Sequence, residues 1–128
     1  LELLNNMREQ LLCIRGNCDC EVDQMVLQFP IMADYAALWL NGHMVWATHG
    51  HVYNMDNHPP FQKGDILLHG HTHIPAAQQF EDGYYYINPG SVSIPKAGSR
   101  NSYMVLEGST FTLKAIEDGS VISSFTVE

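Results

Sequence analysis

Polar, glycine-containing loops directly follow short apolar runs, and this pairing constrains the fold more than any other feature of the chain. Residues 11–15 run into residues 16–19 (GNCD), and residues 65–69 run into residues 70–73 (GHTH). Apolar runs without polar alternation are typical of strands in a sheet that is covered on both faces. Because ligands of such sheets bind beyond the carboxyl ends of the strands, we expect these loops to carry the function.

The remaining sequence favours strands with little helix. Asn41-Gly42, between Tyr35–Leu40 and His43–Thr48, is a strong hairpin signal because both turn residues need positive φ. Alternation predicts further strands, at 78–80, 84–87, 102–106, 110–116 and 121–127. Helical spacing predicts the end of a helix within 1–10 and one turn at 22–26. This pattern alone suggests an antiparallel sandwich, whereas the apolar runs at 11–15 and 65–69 are typical of a covered sheet, as in an α/β or α+β fold.

Composition and charge disfavour several classes of protein. The chain has 128 residues, enough for one domain with its own core. Fourteen Asp and Glu against six Lys and Arg give a formal charge of −8, which disfavours nucleic acid as a partner. No apolar run reaches the roughly 18 residues of a membrane span. The three cysteines are clustered and odd in number, unlike a disulfide framework. We therefore expect a cytoplasmic protein without a membrane partner.

Two histidine pairs are the main chemical signal. Residues 48–51 (THGH) and 70–73 (GHTH) each place two imidazoles two positions apart after an apolar run. Imidazole is the commonest metal ligand, and Asn17 adds an amide oxygen in the loop at 16–19. Mixed nitrogen and oxygen ligands suit a borderline divalent ion such as Mn²⁺, Fe²⁺ or Zn²⁺. Together the loops predict a metal site.

Alternatives to that site stay open. A histidine such as His58 or His69 is more often exposed or hydrogen-bonded than bound to a metal. A single His-x-His pair, at 49–51 or at 71–73, is also more often exposed or hydrogen-bonded than bound to a metal. A different alternative is a small structural zinc protein whose ligands include Cys13, Cys18 and Cys20, although no second pair of cysteines accompanies them.

The order of four motifs resembles the calcineurin-like metallophosphoesterases. These motifs are GNCD at 16–19, THGH at 48–51, GHTH at 70–73 and NPGS at 88–91. Within the family, residues 14–19 (IRGNCD), 21–25 (EVDQM) and 88–96 (NPGSVSIPK) are similar to the small bacterial YfcE-type phosphodiesterases. The resemblance covers essentially the whole chain.

The resemblance implies a β-sandwich flanked by helices, with two divalent metals at the strand ends. The ions are commonly Mn²⁺, and Zn²⁺, Fe²⁺ or Ni²⁺ are the alternatives. By resemblance, Asn17, His49 and His71 hold one metal, and His73 holds the other. A hydroxide held by both metals then attacks the phosphorus of a small phosphodiester. The implied function is that of a hydrolase, a metal-dependent phosphodiesterase.

The implied catalytic residues are Cys18, Asp19 and His51, with His51 on the substrate side. Many family members have a histidine in place of Cys18, and that histidine is the usual general acid. A thiol, with a pKa of about 8.5, is a poorer match to an oxygen leaving group. We therefore expect phosphodiesters with good leaving groups, such as aryl esters, to react best.

The family's opening Asp-x-His and Gly-Asp motifs do not occur before Asn17. In the family they supply an Asp and a His to one metal and an Asp to both. We therefore expect residues 1–128 to be the C-terminal portion of a single metallophosphoesterase domain that lacks its leading βα units and is inactive alone.

Loss of those units would uncover apolar strands such as 11–15, and uncovered strands tend to pair with another chain. We therefore expect a homo-oligomer or an association with the missing segment. The alternative function is a non-catalytic, protein-binding scaffold on the same fold, a role that the retromer small subunit has in this family.

Overall fold

Two β-sheets packed against each other form the body of the molecule. The computed structural model describes residues 1–127; Glu128, the last residue of the predicted domain 1–128, lies outside the described residues. The strands are β1 (Tyr35–Leu40), β2 (His43–Thr48), β3 (Ile66–His69), β4 (Ala76–Gln79), β5 (Tyr85–Asn88), β6 (Ser102–Glu107), β7 (Thr110–Ala115) and β8 (Val121–Thr126). The first sheet has the order β1-β2-β3-β5-β4, and the second has the order β6-β7-β8.

The core lies between the two sheets. Val45, Ile66 and Ile87 of the first sheet form one buried cluster with Phe111 and Val127 from the second half of the chain. Burial of such side chains stabilises the fold by about 1.5–3 kcal/mol each. The predicted fold class, a mixed α/β sandwich, is confirmed.

The hairpin of β1 and β2 has the predicted bounds and the predicted turn. The strands pair antiparallel with Leu40 opposite His43, and Asn41 and Gly42 have φ values of 50° and 84°. Positive φ at both turn positions matches the right-handed twist of the flanking strands. Because this requirement is local, the dipeptide was sufficient to locate the hairpin.

The centre of the first sheet is parallel. β2 pairs with β3, and β3 pairs with β5, each in the parallel direction. The predicted buried strand at 65–69 is confirmed by β3, in which Leu67 is fully buried. Thr48, the last residue of β2, lies opposite His69, the last residue of β3. The loops that follow these two strands therefore leave the sheet side by side.

The other predicted strands are present within about two residues of their expected bounds. β4 pairs antiparallel with β5 across a turn in which Gly83 has φ of 90°. β6, β7 and β8 form an antiparallel meander. Along β7 the buried residues Phe111, Leu113 and Ala115 alternate with partly exposed ones, as a strand with one face on the core requires.

The helices are short and bury no residue. α1 (Glu2–Asn6) ends before Met7, and a 3-10 turn at Arg8–Gln10 follows, so the helix predicted within 1–10 is interrupted. The predicted turn at 22–26 lies in α2 (Glu21–Val26), where the Cys20 amide donates to Asp23 Oδ2 at 2.9 Å. In the described chain neither helix has the length or apolarity that a membrane crossing needs.

The prediction of a strand at residues 11–15 is wrong. This segment has no regular secondary structure. The Arg15 amide donates to the Ala33 carbonyl at 2.7 Å, and this bond does not extend into a ladder among residues 1–127. A strand is defined by a ladder of hydrogen bonds to a partner, and neither sheet of the described chain includes these residues.

Candidate metal centre

Loops at the carboxyl ends of β2 and β3 bring two histidines together. His49 follows β2 directly, and His71 lies two residues beyond the end of β3. Their ring centroids are 5.0 Å apart. Asn17 reaches the same point from the loop at 16–19, and a hydrogen bond of 2.8 Å joins its Oδ1 to His49 Nε2. The structure thus gathers three of the four predicted metal ligands.

The donor atoms of these side chains are spaced as the ligands of one ion are. His71 Nδ1 lies 3.2 Å from His49 Nε2, which in turn lies 2.8 Å from Asn17 Oδ1. With metal–ligand bonds of about 2.1 Å, neighbouring ligands at right angles are about 3.0 Å apart. Two imidazole nitrogens and an amide oxygen therefore fit part of the coordination of a single divalent ion.

His51 is a third imidazole beside this pair. Its ring centroid lies 5.2 Å from that of His49 and 6.2 Å from that of His71. His51 Nδ1 is buried and has no hydrogen-bond partner within residues 1–127. A buried polar atom without a partner costs about 1–3 kcal/mol. Its position next to the candidate ligands agrees with a role on the substrate side, and that role stays a prediction.

The backbone of the second loop is strained. His71 and His73 have φ values of 66° and 63°, a region that residues other than glycine rarely adopt and that costs on the order of 1 kcal/mol for each residue. Gly50, with φ of 113°, lies so close that a Cβ atom there would be 2.7 Å from His69 Nδ1. Both features occur where the loops that follow β2 and β3 meet. Strained backbone of this kind is common at binding sites.

Burial and the neighbouring imidazoles favour the neutral form of the central histidine. Burial lowers the pKa of His49, the neighbouring His71 and His51 lower it further, and Asp19 acts in the opposite direction. A histidine must be unprotonated to bind a metal. The lowered pKa of His49 therefore favours the form of the ring that can bind a metal.

Cys18 and Asp19, both predicted to be catalytic, lie in the loop that carries Asn17. Asp19 Oδ2 accepts a hydrogen bond from the Gly16 amide at 2.7 Å, so the carboxylate closes the turn. Cys18 is exposed, and Asn17 Nδ2 donates to its Sγ at 3.6 Å. The thiol therefore borders a candidate ligand, whereas the carboxylate is engaged by the backbone.

His73, the predicted ligand of a second metal, is held by a different partner. A hydrogen bond of 2.7 Å joins its Nδ1 to the Ile94 carbonyl. In the described range 1–127, no group of three or more His, Cys, Asp or Glu side chains is arranged to hold a metal ion. The assignment of Asn17, His49, His71 and His73 as metal ligands therefore stays a prediction. The same finding gives no support to a structural zinc site at the cysteines.

Asn88 is a positioning residue that the sequence analysis does not single out. It is fully buried, and its Nδ2 lies 3.3 Å from the Gly70 carbonyl and 2.9 Å from both Thr72 Oγ1 and Tyr86 OH. Its Oδ1 accepts from the Gly90 amide at 2.9 Å. Asn88 therefore ties the NPGS turn to the loop that carries His71 and His73. The available signal was its place in the NPGS motif directly after an apolar strand.

A family model and a similar protein sequence match most of the chain. Residues 1–110 match the family described as the calcineurin-like phosphoesterase superfamily domain. Phosphodiesterase YfcE of Escherichia coli (strain K12) is 40% identical over 126 residues, which are 98% of this chain and 68% of that protein.

Solved structures extend the comparison. The structure of YfcE, a phosphoesterase from E. coli, matches with a TM-score of 0.93 at 40% identity, covering 99% of this chain and 69% of that one. Vps29 complexed with Zn²⁺, from Entamoeba histolytica, matches with a TM-score of 0.52 at 16% identity, covering 99% of this chain and 89% of that one, and shares the fold alone. The resemblance inferred from four motifs is confirmed, a phosphoesterase function is supported, and the chain belongs to the calcineurin-like phosphoesterase superfamily.

Proposed function

We propose that this chain carries part of the active site of a metal-dependent phosphodiesterase that acts on small phosphodiesters. The observation that supports this most directly is the spacing of Asn17 Oδ1, His49 Nε2 and His71 Nδ1, at 2.8 and 3.2 Å. These neutral donors suit a borderline divalent ion, with Mn²⁺ as the first candidate and Zn²⁺, Fe²⁺ or Ni²⁺ as alternatives. His73 is the proposed ligand of a second ion, through the ring nitrogen that does not bond to Ile94.

Divalent ions in this place would supply a nucleophile at neutral pH and offset the charge that develops on the phosphoryl oxygens. The residues of the chain hold and surround the reacting group. His49 and His71 orient the site from two neighbouring strand ends, and the ring centroid of His51 lies 5.2 Å and 6.2 Å from theirs. We assign Cys18 as the proton donor to the leaving group, because its exposed thiol borders Asn17.

A chimera tests the proposed function. In it, this chain replaces the 126 matched residues of E. coli YfcE. We expect Mn²⁺-dependent hydrolysis of bis(p-nitrophenyl) phosphate, abolished in the His49→Ala variant of the chimera. The alternative function, a protein-binding scaffold, is favoured by the lack of a carboxylate among the clustered donors. A folded chimera that binds Mn²⁺ and shows no turnover would support the scaffold.

Metal binding by the chain itself gives a further prediction. We expect His49→Ala to weaken Mn²⁺ binding at least about 10- to 100-fold, since even the indirect partners of a metal site contribute that much. The matched control is His58→Ala, which removes an exposed histidine whose Nδ1 bonds to the Pro59 carbonyl. Isothermal titration with Mn²⁺ measures both variants. Equal affinities in the two variants would contradict the assignment of His49 as a ligand.

The leaving-group preference depends on Cys18. In the chimera, we expect Cys18→His to raise kcat/KM for alkyl phosphodiesters by about tenfold or more, because general acids contribute about 10²–10⁴ to such reactions. Aryl esters, whose leaving groups need little protonation, should change by less than about threefold. Cys20→His, at the neighbouring exposed cysteine, is the control and should change neither. An unaltered alkyl-to-aryl ratio in Cys18→His would show that Cys18 does not limit protonation.

A further inference from the structure

A short segment that begins in the NPGS turn lies against the loop that carries His73. We call residues 91–96 the SVSIPK segment. The ring Nδ1 of His73 lies 2.7 Å from the carbonyl oxygen of Ile94, and the backbone carbonyl of His73 accepts from the Lys96 amide at 3.0 Å. The SVSIPK segment therefore holds both the ring and the backbone of this histidine.

The contact with Ile94 determines which ring nitrogen of His73 carries the proton. A carbonyl oxygen can only accept a hydrogen bond, so Nδ1 is the protonated nitrogen of the neutral ring. A proton on Nδ1 leaves the other nitrogen, Nε2, with its lone pair. Nε2 makes no hydrogen bond within residues 1–127. The neutral ring therefore offers a free lone pair at Nε2, as a metal ligand must.

Two features of the SVSIPK segment orient the Ile94 carbonyl. The Ser91 hydroxyl accepts hydrogen bonds from the amides of Ser93, at 3.3 Å, and Ile94, at 2.9 Å, and so closes the segment into a compact turn. The residue before a proline is restricted to extended backbone, and Pro95 imposes this restriction on Ile94. Neither feature involves His73, so the carbonyl is oriented independently of the ring that it binds.

The SVSIPK segment is itself anchored to the second sheet. The Ser102 amide, at the start of β6, donates to the Ser91 carbonyl at 2.9 Å, and Asn101 Nδ2 donates to the Val92 carbonyl at 2.9 Å. His73 has a φ of 63°, which is strained for a residue with a side chain. Such strain persists only where the surrounding contacts over-determine it, and the two hydrogen bonds from the anchored segment are contacts of this kind.

We propose that Ser91 is a positioning residue of the candidate metal centre, which acts through the Ile94 carbonyl to hold His73 in the tautomer whose Nε2 can bind a divalent ion. Histidine ligands almost always donate their second ring N–H to a carboxylate, a backbone carbonyl or water, which fixes the tautomer and the orientation of the ring. The proposal rests on the proposed function, because it takes His73 as a ligand. The tautomer is measured without metal, so the two can fail separately.

Nuclear magnetic resonance of the metal-free, 128-residue chain measures the tautomer. Two-bond ¹H–¹⁵N correlation spectra distinguish protonated from unprotonated ring nitrogens, and a His73→Gln variant identifies the His73 signals among those of the seven histidines. The spectra are recorded at pH 8, above the usual histidine pKa of about 6.5. We expect His73 to carry its proton on Nδ1 in the unmodified chain and to populate both tautomers in Ser91→Ala.

Two matched variants isolate the effect of the Ser91 hydroxyl. Ser93→Ala makes the same change two positions along, at a hydroxyl without a hydrogen bond in the described chain, and should keep the Nδ1 tautomer. Ser91→Thr retains a hydroxyl and should also keep it. In the YfcE chimera, titrated with Mn²⁺, we expect Ser91→Ala to raise the Kd of the second ion about tenfold, the lower end of the range for losing an outer partner of a metal ligand. The Kd of the first ion should not change.

A proton on Nε2 of His73 in the unmodified chain would overturn the proposal, whatever the variants show. The proposal would also fail if Ser91→Ala, with an otherwise native amide spectrum, kept the Nδ1 tautomer as Ser93→Ala does. An equal loss of affinity for both ions in the chimera would contradict it, since that would indicate general damage rather than an effect through His73. A chimera that takes up only one Mn²⁺ while His73 carries its proton on Nδ1 would instead contradict the proposed function, and the effect of Ser91 on the tautomer would stand.

Discussion

The 128-residue chain on its own is expected to retain at most one equivalent of divalent metal and to hydrolyse no phosphodiester above the uncatalysed rate. The three clustered donors, Asn17, His49 and His71, are all neutral. Two divalent ions about 4 Å apart repel each other by roughly 17 kcal/mol at an effective dielectric constant of about 20. Without carboxylates to offset this repulsion, a second ion should not bind beside the first.

Elemental analysis after dialysis from excess Mn²⁺ measures the retained metal, and an aryl phosphodiester assay in excess Mn²⁺ measures turnover. The Asp19 carboxylate carries a single negative charge, which is too little to offset the four positive charges of two divalent ions. Two retained equivalents would contradict the expectation. Turnover that scales with the chain and disappears in His49→Ala would contradict it as well, and would mean that the residues of the chain complete the site.

Replacing Asn88 by alanine is expected to lower the free energy of unfolding by about 2–4 kcal/mol and to weaken Mn²⁺ binding. Asn88 is fully buried, and truncation would remove its hydrogen bonds to the Gly90 amide and to the buried Tyr86 hydroxyl. Each buried polar group left unsatisfied costs about 1–3 kcal/mol. Metal binding should weaken because Asn88 also contacts the Gly70 carbonyl, directly before His71.

Urea denaturation measures the loss of stability, and titration with Mn²⁺ measures the effect on the site. Asn101→Ala is the matched control: this exposed asparagine donates to the Val92 carbonyl at 2.9 Å, and its loss should cost less than about 0.5 kcal/mol. A stability loss in Asn88→Ala no larger than that of the control would show that the buried contacts contribute little. An unaltered Mn²⁺ affinity in a destabilised Asn88→Ala would limit Asn88 to a structural role.

Features that depend on a few adjacent residues could be predicted. The Asn41-Gly42 turn was predictable because positive φ is a property of the dipeptide itself. β7 was predictable from alternation, since Phe111 and Leu113 lie on its buried face. The meeting of His49 and His71 was only partly predictable. Parallel strands present their carboxyl ends on the same side, but the register of Thr48 with His69, which sets the distance, is formed between residues far apart in sequence.

The sequence by itself determined the turns, the strand periodicity, and the loops that carry the candidate ligands, because local sterics and side-chain alternation act within a few residues. Only the tertiary structure decided that residues 11–15 are not a strand, that His73 bonds to Ile94, and that Asn88 joins two loops. Each of these depends on which segments lie next to one another. A ladder of hydrogen bonds needs a partner strand, and a buried amide needs acceptors that other parts of the chain supply.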